Sequence, residues 1–220
     1  MPDMTVAGRT VLIAGATSAS GHAVARALLD ADARVIAVGS DQGRIDAMTA
    51  ELPGILGERA DLTDSDEVLE LAMRVHASVG EVDGVIHLVG GWRGGGGILG
   101  QSDEDYRVLE RSFTALRHVS RAFWTDLVAS RAGRVAMVSS TTVAAPSAGS
   151  ANYTAVKAAS ESWMRSLAQG FAKAEVPAAA TIFRVSSLAG LEERLAASVV
   201  ELWNSDAESL NGRVIELAAD

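Results

Sequence analysis

At 220 residues, 48% of them hydrophobic, the chain is long enough to bury one sizeable core and too short for two ordinary domains; with no cysteine it has no disulfide, cysteine-bound metal or thiol nucleophile. The net charge is −9 and all but two of the 19 basic residues are arginines scattered along the chain, which argues against a nucleic-acid surface. The start carries no basic segment followed by a long apolar run, and no stretch reaches the roughly 18 apolar residues of a membrane span, so an unprocessed cytoplasmic protein without membrane contact or metal is expected.

Apolar runs of strand length alternate with segments of helical period. Strands are expected at Thr10–Ala14, Arg34–Val38, Ile55–Ala60, Gly84–Val89, Val135–Ser139, Ala178–Arg184 and Arg213–Leu217. Between them lie helices at Gly21–Asp32, Asp41–Glu51, Asp64–Val79, a long one at Asp103–Ser130, then Asn152–Ala174 and Leu191–Asn204. Such alternation predicts a doubly wound, Rossmann-like α/β fold with a parallel sheet of about seven strands and helices on both faces. With no repeat, charge block or linker to divide it, residues 1–220 read as a single domain.

The first strand runs into Gly15-Ala16-Thr17-Ser18-Ala19-Ser20-Gly21 and then a helix. A dinucleotide pyrophosphate needs this kind of turn, in which small residues let backbone N–H groups and a helix N-terminus approach the phosphates. The fourth strand ends on His87-Leu88-Val89-Gly90-Gly91, and His87, embedded in an apolar run, reads as a hydrogen-bonded core residue. Residues 90–100 hold seven of the chain's 21 glycines, so this loop is expected to overhang the site and to be mobile, with Trp92 a candidate substrate contact. Phe123 and Trp124 read as core or subunit-contact residues.

The stretch Gly133–Ala159 carries the strongest chemical signal. It sets Ser140, Tyr153 and Lys157 at intervals of thirteen and four residues, and side chains at i and i+4 lie above one another on a helix. A cation placed beside a phenol can stabilise its phenolate and make the tyrosine an acid–base catalyst.

On these motifs the chain resembles the short-chain dehydrogenase/reductase family over nearly its whole length. The resemblance implies a catalytic set of Ser140, Tyr153 and Lys157, joined by Ser112, whose backbone carbonyl stands where relatives have an asparagine carbonyl that orders a water on the proton path. It implies cofactor contacts from Gly15, Thr17, Ser18, Ala19, Ser20, Gly21, Ser40, Asp61, Leu62, Val89, Gly90 and Gly91 as well as Tyr153 and Lys157. It implies a nicotinamide cofactor: Gly39 replaces the acid that favours NAD and Ser40 the arginine that favours NADP, which leaves a modest NADP preference with Arg44 as a further contact. Family members are commonly homodimers or homotetramers, so an oligomer acting on a small carbonyl or alcohol is expected.

Several positions depart from the family pattern. Ala14 and Ala19 replace a threonine and a glycine of the first turn, His87-Leu88-Val89-Gly90 replaces Asn-Asn-Ala-Gly, and Arg184-Val185 stands in place of Pro-Gly. The substrate loop, 185–191, is abbreviated, which predicts an open nicotinamide face with Arg184 at its mouth, where it either binds carboxylate or phosphate or stands as a solvated or structurally paired arginine. A cofactor-binding regulatory protein, or non-redox acid–base chemistry of the cyclase or dehydratase kind, stays open as an alternative to hydride transfer.

Overall fold

A computed structural model describes residues 5–218. Seven parallel strands lie in the order β3-β2-β1-β4-β5-β6-β7. They are β1 (Thr10–Ala14), β2 (Arg34–Gly39), β3 (Leu56–Arg59), β4 (Gly84–His87), β5 (Arg134–Ser140), β6 (Ala179–Val185) and β7 (Val214–Glu216). The order reverses between β1 and β4, which opens a crevice beyond their carboxyl ends. The five inner strands, β1, β2, β4, β5 and β6, are buried on both faces and read as largely apolar runs, and that is why the sequence shows them so clearly.

Alternate residues of each strand feed separate cores. Val11 and Ile13 face one side with Val24 and Leu28 of α1 (Ala19–Asp30) and Leu195 and Val199 of α7 (Glu192–Glu201). Leu12 and Ala14 face the other, with Leu71 of α3 (Ser65–Val79), Leu116 of α4 (Asp103–Ala122) and Met164 and Phe171 of α6 (Ala151–Ala174). The remaining helices are α2 (Gln42–Glu51), α5 (Trp124–Ala129) and α8 (Ala207–Leu210).

The structure corrects the sequence reading in a few places. The single helix expected over Asp103–Ser130 is two, α4 and α5, because Phe123 leaves helical geometry with φ −102° and ψ 11° and buries its ring completely. Trp124 stacks on Phe171 at 4.6 Å between centroids, which makes it a packing residue of the second core. Strand β4 ends at His87 rather than Val89, since the chain turns away toward the glycines. Among the described residues, no helix is long and apolar enough to cross a membrane.

Candidate active site

The crevice is built first from the turn after β1. Gly15 has φ +82°, and a β-carbon there would stand 2.9 Å from the Val89 backbone nitrogen, so only glycine lets β1 and the exit of β4 lie this close. A β-carbon on Gly21 would stand 2.1 Å from the Ala16 carbonyl oxygen, which fixes how tightly the helix folds back on the turn. Ser18 caps α1: its hydroxyl accepts from the Gly21 amide at 3.0 Å, while its carbonyl accepts from His22 at 2.9 Å. The amides of Ala19 and Ser20 have no partner among the described residues, and the first turn of the helix carries no acid. Two unsatisfied donors at the positive end of a helix dipole form a receptor for phosphate, so the turn fits a dinucleotide. Ala19, the departure from the glycine pattern, is the first residue of α1, exposed and with negative φ, so its methyl group causes no strain.

On one side of this turn, a depression is lined by Gly15, Thr17, Ser18, Ser40, Arg44, Asp61, Leu62, Val89 and Gly90. Arg44 folds back from α2 and its Nη2 donates to the Thr17 carbonyl, which brings the guanidinium over the depression. A β-carbon on Gly39 would stand 3.2 Å from both Ile45 and Thr17, so an acid there would have to push these neighbours aside. Asp61 is held locally: its Oδ1 accepts from the Thr63 amide and hydroxyl at 2.9 and 2.7 Å, and its Oδ2 accepts from Arg111 at 3.1 Å. The Thr63 hydrogen bonds, ahead of the Arg111 charge, hold its carboxyl below the usual range. Asp64, and not Asp61, caps α3.

The other side is a cleft of about 370 Å³, lined among others by Ser20, Val89, Gly90, Gly91, Trp92, Ser140, Tyr153, Lys157 and residues 185–188. Alternation along β5 separates its two last serines. Ser139 turns inward, where its hydroxyl donates to Glu161 at 2.8 Å, and Ser140 turns to the cleft, where its hydroxyl accepts from Thr142 at 3.0 Å. On α6, Lys157 stands one turn beyond Tyr153, its ammonium 5.8 Å from the phenol ring centre, and donates to the Val138 carbonyl at 2.8 Å. Burial brings this lysine down to about 8, against the pull of Glu161. Burial also raises Tyr153, with the Ser140 hydroxyl offsetting part of the rise, so in this structure the phenol is pushed up rather than depressed by its neighbouring cation. At neutral pH the tyrosine carries a proton to donate and the lysine is charged.

Ser112 lies apart from this set, at the base of a neighbouring depression beside Gly90 and Gly91. Its hydroxyl donates to the Leu109 carbonyl, and its own carbonyl, expected to order a water, already accepts from His87 at 3.0 Å. Of the two readings of Arg184, the structurally paired one is what the structure shows: its guanidinium makes two bonds of 2.8 and 2.7 Å to the wholly buried Glu161, because the β5–β6 register sets Arg184 directly beside Ser139.

The glycine loop is not the unanchored segment that its composition predicts. The Gln101 Nε2 lies 3.0 to 3.1 Å from the carbonyls of Gly95, Gly97 and Gly149, which share its two N–H groups, and its Oε1 accepts from the Asn152 amide at 3.0 Å, which ties the loop to the start of α6 next to Tyr153. Trp92 lines the cleft from this loop and is 59% exposed. Gln101 had a faint sequence signal, a single amide following the glycine run; the Glu161–Arg184 pair had none, since 23 residues separate its members.

Known proteins share both sequence and architecture with this chain. The family profile described as short chain dehydrogenase matches residues 9–196. Nodulation protein G of Rhizobium meliloti (strain 1021) is 33% identical over 171 residues, spanning 75% of this chain and 68% of that protein. The 3-oxoacyl-[acyl-carrier-protein] reductase FabG of Salmonella typhimurium is 27% identical, spanning 76% and 68%. Among solved structures, a metagenomic short-chain oxidoreductase in complex with NADP superposes with a TM-score of 0.82 at 23% identity, over 98% of this chain and 99% of that one. A gluconate 5-dehydrogenase from Burkholderia cenocepacia J2315, in complex with NADP and tartrate, superposes at 0.83 with 17% identity, over 98% and 95%.

Proposed function

The chain belongs to the short-chain dehydrogenase family and is an NAD(P)-dependent oxidoreductase, and from that premise we propose that it reduces a small-molecule carbonyl with Tyr153 as proton donor and NADP as the preferred cofactor. The observation that carries the reading is the convergence of Ser140, Tyr153 and Lys157 on one cleft that adjoins the phosphate-accepting turn, with Ser18, Val89 and Gly90 lining both halves.

The residues divide the work as their chemistry requires. The first turn of α1 and its Ala19 and Ser20 amides would hold the pyrophosphate, and Asp61 and Leu62 would line the adenosine side. A nicotinamide bound there would supply or remove the hydride. Ser140 hydrogen-bonds the substrate oxygen. Tyr153 donates its phenolic proton to that oxygen as the carbonyl becomes an alcohol, and the Lys157 ammonium stabilises the phenolate left behind. Burial keeps the phenol protonated until an oxyanion develops beside it, which suits the reducing direction.

Arg44 and Ser40 support the NADP preference: a guanidinium and a hydroxyl line the depression where a 2′-phosphate would lie, and the acid that would repel it is missing at Gly39. The abbreviated 185–191 segment leaves the substrate side open, with Leu188 and Trp92 as its apolar contacts. We further infer a cytoplasmic homodimer or homotetramer built through α4 and α6, where Tyr106 and Val108 of α4 stand 42% and 47% exposed. A monomer by light scattering at micromolar concentration would contradict that assembly. The reduction itself is tested by following NADPH absorbance against a panel of small ketones and aldehydes: consumption that disappears in Tyr153→Phe is expected, and consumption that survives it overturns the assignment.

A further inference from the structure

His87 occupies the carboxyl end of β4, 5% exposed, on the wall of the cleft that holds Tyr153 and Lys157. Its Nε2 lies 3.0 Å from the Ser112 carbonyl oxygen. A carbonyl only accepts, so Nε2 carries the proton and the neutral ring keeps its lone pair at Nδ1. That Nδ1 is buried and has no hydrogen-bond partner among the described residues. A buried acceptor left in this way is costly, and a polar cleft gives it the means to be satisfied.

Lys157 offers the matching donor. Its ammonium has three N–H groups, and the Val138 carbonyl takes one of them. Val138 follows Met137, which is the strand partner of His87, and a β-carbon on Gly90, three residues past His87, would stand 3.5 Å from Nζ. The register of β4 and β5 therefore sets the ammonium beside the strand end that carries the imidazole. The two groups also sense each other: burial first, then the Lys157 charge, brings His87 down to about 3. A ring that burial and a neighbouring cation hold neutral is a poor proton store. Nor can it hand a proton onward, because the group bonded to Nε2 is a carbonyl. A shuttle is excluded, and an acceptor remains.

We propose that His87 is a positioning residue for Lys157: the Ser112 carbonyl fixes the Nε2–H tautomer, and the bare Nδ1 accepts a hydrogen bond from the Lys157 ammonium through one water in the cleft. The inference rests on the functional reading above, since the ammonium so held is the one that faces Tyr153. An acceptor favours charged lysine and opposes the effect of burial. The titratable groups around Lys157 are Tyr153 and Glu161 on its own helix, His87 on β4 and, through Glu161, Arg165 on α6 and Arg184 on β6.

The chain has only two lysines, Lys157 and Lys173, so NMR of protein labelled at lysine 13Cε follows Lys157 directly without substrate or cofactor. In the unaltered chain its midpoint is expected near 8. His87→Leu should lower that midpoint by about half a unit or more, and His87→Gln, whose amide oxygen restores an acceptor, should recover most of the fall. An unmoved midpoint in His87→Leu, or equal falls in both variants, overturns the proposal. Should the leucine variant fail to fold, 15N-histidine spectra of the unaltered chain decide instead. A neutral Nε2–H ring whose Nδ1 resonance moves as Lys157 discharges is expected, whereas an Nδ1–H tautomer, or an Nδ1 resonance indifferent to Lys157, refutes it. Neither spectrum reads turnover, so failure of the nicotinamide chemistry would leave both intact and show itself separately in the reduction assay.

Discussion

Replacing Glu161 with Gln keeps the volume of a wholly buried side chain and removes its charge. The carboxylate accepts from Ser139 at 2.8 Å, from Arg184 at 2.8 and 2.7 Å and from Arg165 at 2.8 Å. An amide can accept at one position only, so it leaves the Arg184 guanidinium, 15% exposed in its side chain, without its hydrogen-bonded counter-ion and with only the charge of its strand partner Glu216 nearby. Breaking one partner of a buried pair costs about 3 to 5 kcal/mol. Arg184 keeps some contact with water, so the lower end, about 3 kcal/mol, applies, and in a domain of this size it corresponds to roughly 6 to 12 °C in Tm. Circular dichroism melts at neutral pH measure the effect, and a double-mutant cycle with Arg184→Met isolates the pair. A fall below about 3 °C, or effects that simply add, would refute the reasoning. The pH dependence has a definite sign. Burial pushes Glu161 up, but the hydrogen bonds from Arg184 and Ser139 outweigh it and hold the folded group below its ordinary value of 4.5. Its contribution is therefore complete above about 4.5 and is lost as pH falls through the lower folded value.

Other perturbations read other parts of the molecule. Tyr153→Phe should leave the melting temperature within a degree or two and reduce turnover by about 10² or more, the scale of a positioned acid–base group; an unchanged kcat would remove the tyrosine from the mechanism. Arg44→Ala should cut the NADP-over-NAD ratio of kcat/KM by about tenfold and weaken its salt dependence, and a ratio that holds would show that the guanidinium serves only the Thr17 carbonyl. Because Lys157 discharges near pH 8, the reduction rate at saturating cofactor should fall as pH rises through that region; a flat profile from pH 7 to about 9.5 would contradict the role given to its charge.

The alternation of strands and helices was legible because the inner parallel strands, buried on two faces, show as largely apolar runs. So was the Tyr153–Lys157 pair, since a four-residue interval needs only one helix to become a contact. What the sequence concealed depends on register between distant segments. Ser139, Glu161 and Arg184 meet because β5 pairs with β6 at Ser139↔Arg184 under α6, and no local pattern announces that geometry. In sequence Arg184 is equally a ligand contact or a structurally paired residue, and only the register identifies Glu161 as its partner. The break at Phe123 is silent for another reason: phenylalanine is acceptable in a helix, and burial of its ring, not propensity, ends α4 there. Gln101 anchors a loop whose glycines alone predict mobility, because one amide can share its two N–H groups among three carbonyls only once residues 95–101 have curled round it and the carbonyl of Gly149 lies alongside.

The central claim, that a nicotinamide dinucleotide spans the α1 turn and the Tyr153 cleft, is tested most directly by isothermal titration calorimetry of the full chain with NADPH, and NADH as comparison. One site per chain with micromolar affinity, about −8 kcal/mol, is predicted, with NADPH bound more tightly. Absence of saturable heat with either dinucleotide would contradict the account.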